Sequence, residues 1–277
     1  MDRRLPVPLA ILLLPALAWG QLTDDDIRAW YPLTRNAEDI SGSGRHGTLL
    51  GDGMDPVFLF DAERPGTVAA FDGVDDVIDI RESMGSFTEA APGGQFAVSF
   101  WIRTDGPGDD VTTQNVLMGS GSSGGVIEIV GNGSWQGMGR SRGSAVGVNS
   151  GGGGGSVGQP PGAENVDGLL QDGGWHHLHI QWIDPDGTIE GSEASEAEIW
   201  IDGVRAEDAN DPAFNGNGIA GITELGRGTG SDGGSQDGFR YTGRLSDVIF
   251  FERQLTDAEV LEAMALESPL FVDGFED

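Results

Sequence analysis

Residues 95–104 read QFAVSFWIRT, and their alternation decides the fold. Successive side chains of an extended chain point to opposite faces. Phe96, Val98, Phe100 and Ile102 therefore share one face, while Ser99, Trp101 and Arg103 share the other. Apolar residues at period two predict a strand with one face in a core. Working outward, similar short runs recur at 29–33, 46–51, 57–60, 67–71, 77–80, 116–119, 126–130, 145–149, 175–184, 197–202 and 238–251. Short strands divided by Gly and Asp turns predict an all-β sandwich.

One segment breaks that period. TDAEVLEAMALE, from Thr256, predicts a short C-terminal helix, with Thr256 as N-cap and Glu259 completing a capping box. Its apolar stripe is expected at Val260, Leu261, Met264 and Leu266.

Glycine marks the gaps between strands. The chain has 47 glycines, gathered in discrete patches such as GSGSSGG (119–125), NSGGGGGSVGQPPG (149–162) and GRGTGSDGGSQDG (226–238). These cannot bury apolar area and are expected to be loops, the middle one a mobile insertion over 149–163. Gly228-x-Gly230-x-Asp232 matches a calcium nonapeptide repeat only once, whereas such repeats work by stacking.

Composition sets the compartment and the partners. MDRRLPVPLAILLLPALAWG (1–20) places Arg3 and Arg4 before a short apolar run and ends on small residues, the pattern of a cleaved secretory signal. The run is too short to span a bilayer, so the mature chain, from about Gln21, is expected to be secreted, periplasmic or at the cell surface and not membrane-spanning. The formal charge is -30, which repels phosphate backbones and excludes nucleic acid as a partner. There is no cysteine, hence no disulfide, thiolate nucleophile or Cys-based zinc site.

Five further segments complete a pattern: AWYPLTRNAEDISGSGRHGTLLG (29–51), TVAAFDGVDDVIDI (67–80), WHHLHIQW (175–182), IWIDGVRAE (199–207) and YTGRLSDVIFFERQLTDAEVLEAM (241–264). With FAVSFWIRT, and in this order, they resemble the laminin-G-like, concanavalin-A-like jelly-roll domains. The resemblance implies a jelly-roll sandwich of two antiparallel sheets over 21–268, followed by a tail at 269–277. It also implies recognition of a glycan or a cell-surface protein rather than catalysis. The FVDGFED ending resembles short endings on exported proteins of some Gram-negative bacteria. The insertion at 149–163 and DPDGTIEGSEASE (184–196) are longer than the family core.

In similar domains the positions of Asp39 and Asp247 meet where the first and last strands approach, around a structural Ca2+. That ion would also take carbonyls from the Ser41–Gly44 turn, Gly44 included, and from the His46 backbone. FDGVDD (71–76) adds three carboxylates that a DG turn already explains.

The glycan reading needs rings, because sugar faces stack on them. Trp101, Trp135 and Trp200 are the candidates, with Arg103 as a polar clamp. His177 and His179 share a strand face with Gln181 and form a second candidate contact, whereas His176 lies on the opposite face. Imidazoles at i and i+2 stand about 6.6 Å apart at Cα. That is close enough to grip a transition metal, but no third ligand is near in sequence. The same sandwich also carries polysaccharide hydrolases and lyases, and a purely structural or adhesive surface protein is a further alternative. Glycosidase chemistry needs paired carboxylates, commonly an E-x-D-x-x-E strand, and none is present. Glu196 and Glu198 share a strand face ahead of a DG turn and are expected to be a solvated edge.

Overall fold

The structure is a computed structural model. It describes residues 21–50, 56–64, 66–80, 96–104, 114–119, 126–130, 145–149, 154–157, 172–183, 194–205, 214–215, 224–226 and 239–266. A 3-10 turn at Asp24–Asp26 leads into β1 (Ile27–Tyr31), β2 (Thr48–Leu50), β3 (Val57–Phe60), β4 (Thr67–Asp72), β5 (Val77–Asp79) and β6 (Phe96–Thr104). Next come β7 (Gln114–Gly119), β8 (Val126–Val130), β9 (Ala145–Asn149), β10 (Gly154–Val157), β11 (His176–Ile183) and β12 (Ala194–Ile201). The chain closes with β13 (Val204–Arg205), β14 (Phe214–Asn215), β15 (Glu224–Leu225), β16 (Phe239–Arg240), β17 (Thr242–Phe251) and the helix α1 (Asp257–Ala265).

These strands form two sheets, as expected of an all-β jelly-roll sandwich. A nine-stranded sheet runs β13-β12-β11-β6-β17-β4-β3, with β1 on β17 and β14 on β12. An eight-stranded sheet runs β10-β9-β8-β7-β15-β5-β2, with β16 beside β7. Pairing is antiparallel except for the short β16–β7 contact. No helix among the described residues is long and apolar enough to cross a membrane.

The inner faces meet in a core. Val98, Phe100 and Ile102 of β6, Leu178 and Ile180 of β11, and Ile199 and Ile201 of β12 pack with Ile78, Ile80 and Leu225. The alternation of β6 thus reads correctly for this face, but the other face is buried as well. Ala97, Trp200, Ile249 and Phe251 form a second cluster with Leu255, Val260 and Ala263, so α1 and its approach cover the outer face. Ser99, His177 and His179 on this face are buried too, and their polarity disguised it.

α1 begins as expected. The Thr256 side chain accepts from the Glu259 N–H, and the Glu259 carboxylate accepts from the Thr256 N–H at 2.8 Å. Its stripe differs: Val260 and Ala263 are buried, whereas Leu261 is 46 % exposed. A residue turns about 100° round a helix, so Leu261 falls beside the stripe and lies over Gly203, where an added Cβ would stand 2.6 Å from its Cδ2.

The glycine insertion is not wholly loop. Gly154–Val157 is β10, paired antiparallel with β9 at the end of its sheet. Ladder hydrogen bonds need only backbone, and an edge position spares glycine the side-chain packing a central strand requires. The rest of the insertion, the signal-like segment, the tail at 269–277 and Trp135 lie outside the described residues.

Candidate functional site

β12 and β13 are joined by Asp202 and Gly203, with φ of 51° and 75°. Two central residues at positive φ match the right-handed twist of a two-residue hairpin, which is why Asp-Gly stands here. The turn aims the Asp202 carboxylate back at β11: it accepts from the His177 N–H at 2.9 Å and meets His176 Nδ1 at 2.8 Å. His176 Nε2 reaches Asp172 at 3.2 Å. Burial alone would lower the His176 pKa, but the two carboxylates outweigh it and raise it. His176 is therefore a rim histidine held by ion pairs.

The other two imidazoles lie on the outer face, as the alternation requires, and both are buried, His177 to 1 % and His179 to 0 % exposure. His179 Nε2 is 3.2 Å from Gln181 Oε1 and its Nδ1 is 2.7 Å from the Ser99 hydroxyl. An amide oxygen only accepts, so Nε2 carries the proton and Nδ1 accepts from Ser99. Both nitrogens of His179 are engaged within the protein. Gln181 continues the network, donating to Glu198 at 2.7 Å and accepting from the Leu255 N–H at 2.9 Å. Burial lowers His177 to about 3 and His179 to about 4. The Nδ1 of His177 has no hydrogen-bond partner, and its ring packs 5.3 Å from Trp101.

Trp200 is equally enclosed. It is 2 % exposed, donates its indole N–H to Asp257 at 3.2 Å, and lies 5.2 Å from the His179 ring. Glu198, expected to be a solvated edge, is only 18 % exposed and pairs with both Gln181 and Arg205. Its neighbour across the hairpin supplied the partner that sequence spacing hid.

Beyond α1 the outer face opens. Trp101 is half-buried, with the Arg64 guanidinium 4.3 Å over its ring. Arg103 lies two residues along β6, and Arg244 is its partner on β17. Both reach the buried Asp61, Arg103 at 3.3 Å and Arg244 at 2.5 Å, and Arg103 also meets Glu63 at 3.3 Å. Burial works against the Asp61 charge, but the Glu63 N–H and the arginines outweigh it and hold its pKa below the usual range. Gly243 sets this corner: at φ 150° a Cβ would fall 2.4 Å from the Arg103 carbonyl. The close approach lets the Tyr241 hydroxyl bond that carbonyl at 3.0 Å and the Arg244 carbonyl at 3.1 Å. The chain has no lysine, so all 15 basic residues are arginine, and three of them converge here.

Asp39 and Asp247 also come to one place. β1 pairs with β17, so the first and last strands adjoin. Asp247 sits at φ 48° where the β17–β6 register slips, and such a bulge re-aims its residue. Its carboxylate accepts from Arg64 at 2.6 Å, from the Ser246 hydroxyl at 2.8 Å and from the Trp30 indole N–H at 3.4 Å. Asp39 accepts from the N–H groups of Trp30, Ser41 and Arg45, each at 2.9 Å. His46 contributes its imidazole, whose Nδ1 accepts from the Asp39 N–H at 3.2 Å, and Gly44 turns the loop at φ 70°. Calcium needs six to eight oxygens. Each of the two carboxylates already accepts three donors from the protein.

Asp72, Asp75 and Asp76 are the group of acidic side chains, among the described residues, whose ligand oxygens lie within 4.8 Å of one another. Burial, with Asp72 and Asp75 beside it, pushes Asp76 up to about 6. Asp72 accepts from the Val74 N–H at 2.7 Å, and Asp76 accepts from the Asp72 N–H at 2.8 Å. The Asp72 and Asp76 carboxylates brace the β4–β5 turn.

Sequence reasoning missed Asp61, Arg64, Arg244 and Gln181. Arg64 and Asp247 are 183 residues apart, and no local pattern marks such a pair.

No protein-family model matches the chain, and no curated protein is similar to it. Solved structures are similar in fold. Domain 4 of AbnA, a GH43 extracellular arabinanase from Geobacillus stearothermophilus in complex with arabinotriose, superposes with a TM-score of 0.52 at 17% identity, over 86% of this chain and 98% of that one. The binding domain of Paraclostridial Mosquitocidal Protein 1 gives 0.56 at 14% identity over 86% of this chain, and that of botulinum neurotoxin serotype D/C gives 0.54 at 13% over 87%. The chain spans about half the length of these two, 51% and 52%.

Proposed function

We propose that the protein is an exported recognition domain that binds carbohydrate, without turning it over, on the outer face of the nine-stranded sheet beyond α1. The observation that carries this reading is the half-buried Trp101 indole set among the guanidinium groups of Arg64, Arg103 and Arg244. Ring surface for a sugar face, beside fixed donors for its hydroxyls, is what glycan recognition requires. Trp200, His177 and His179 lie on the same face beside Trp101 and are buried, so they back the platform rather than contact the ligand. Export rests on the signal-like first twenty residues. The arabinotriose complex of the arabinanase domain supports a sugar ligand for this fold.

A glycan array screened with the chain from Gln21 onward, alongside Trp101→Ala and Arg103→Ala, tests the reading. Binding that drops about tenfold or more in each variant supports it, as expected for a stacking ring and its clamp. Binding untouched by Trp101→Ala places the site elsewhere, and depolymerised product moves the protein to the hydrolase or lyase class.

A further inference from the structure

We infer that the Arg64 guanidinium takes the place a calcium ion would hold at Asp247, so that the first strand is closed onto the last without a metal. Arg64 projects from the turn between β3 and β4 and crosses to β17, where its Nη2 donates to Asp247 at 2.6 Å. The two side chains are 11% and 7% exposed, so this is a desolvated ion pair rather than a surface one. Its guanidinium carbon also lies 4.3 Å from the centroid of the Trp101 ring, a cation–π contact that helps hold the side chain in place.

Two further donors reach the same carboxylate. Asp247 also holds the Ser246 hydroxyl and the Trp30 indole N–H, and the Trp30 backbone N–H continues to Asp39. An unbroken chain of contacts, Arg64 to Asp247 to Trp30 to Asp39, therefore ties β3–β4, β17, β1 and the loop after β1 together. Asp39 needs no cation, because three backbone N–H groups solvate its charge. A calcium ion at Asp247 would have to expel Arg64 and leave its charge stranded against Trp101. One internal positive charge serves both purposes.

The test compares melting of the full chain, Arg64→Met and Arg64→Lys, each in millimolar calcium and in chelator. Wild-type melting is expected to be the same in both conditions. Arg64→Met strands the buried Asp247 carboxylate and should melt lower by on the order of 10 °C. Arg64→Lys keeps the charge without the planar fork and should fall between the two, still indifferent to calcium. Adding Asp247→Asn to Arg64→Met should not lower melting further, since the stranded charge is then gone. If the doubly substituted chain does not fold, Arg64→Lys alone decides the matter. Wild-type melting that falls several degrees on chelation, with Asp39→Asn or Asp247→Asn abolishing the response, would overturn the inference in favour of a calcium site. Wild-type melting in both Arg64 variants would overturn it too.

Discussion

β6 and β11 present an inner face of Val98, Phe100, Ile102, Leu178 and Ile180 and an outer face of Ser99, Trp101, His177, His179 and Gln181, and the two differ in chemistry far more than in burial. The inner face is held by packing, where each side chain acts through area. The outer face is held by hydrogen bonds running from Ser99 through His179 and Gln181 to Glu198 and the Leu255 N–H, with the His177 Nδ1 left out, and it opens to solvent only past Trp101. Alternation in a sequence therefore reports which residues share a face, while exposure depends on what arrives later in the chain to cover it.

The largest effect should come from the inner face. Phe100→Ala is expected to cost about 3–5 kcal/mol through lost transfer energy and an unfilled cavity. A calorimetric Tm should drop by on the order of 10 °C. A loss no greater than that of an outer-face substitution would show that the inner layer is not the principal core.

Gln181→Ala comes next. It strands the Leu255 N–H, the His179 Nε2–H and a partner of Glu198, at a cost of about 2 kcal/mol. Urea denaturation should show it, together with faster hydrogen exchange at Leu255. His177→Leu sharpens the contrast within the same face. Its Nδ1 has no partner to lose, so its stability should stay within about 1 kcal/mol of wild type.

A further effect lies in pH. His177 and His179 titrate at about 3 and about 4 in the fold, lowered by burial, against about 6.5 in the unfolded chain. The unfolded chain takes up these protons first. The stability they contribute is complete above about pH 6.5 and is lost as pH falls toward 4. Asp76, raised to about 6 by burial, works in the opposite direction over the same window. The quantity to measure is thus the difference between wild type and His177→Gln/His179→Gln in urea unfolding at pH 7.5 and 5. The variant should lose less stability than wild type on acidification, and equal losses would show that these imidazoles are not buried neutral.

The sandwich, the helix with its Thr256 cap and most strands were legible in the sequence because each rests on local pattern or on motifs met in order. The first and last strands do adjoin, as the resemblance implied for Asp39 and Asp247. What the sequence could not carry were pairings between distant positions. Arg64 meets Trp101 and Asp247 only after the β3–β4 turn folds across the sheet, and Glu198 meets Gln181 across a hairpin whose connection is long. Leu261 was misplaced by one helical position, within the scatter of any stripe read without its partner surface. Composition also misled at β10, where glycine suggested loop although an edge strand asks only for backbone.

Hydrogen–deuterium exchange of the chain with a bound oligosaccharide tests the central claim most directly. Binding on the outer face beyond α1 predicts slowed exchange confined to residues 61–64, 99–104 and 242–246, lost together with binding in Trp101→Ala. Protection on the eight-stranded sheet instead, with these three segments unchanged, would contradict it.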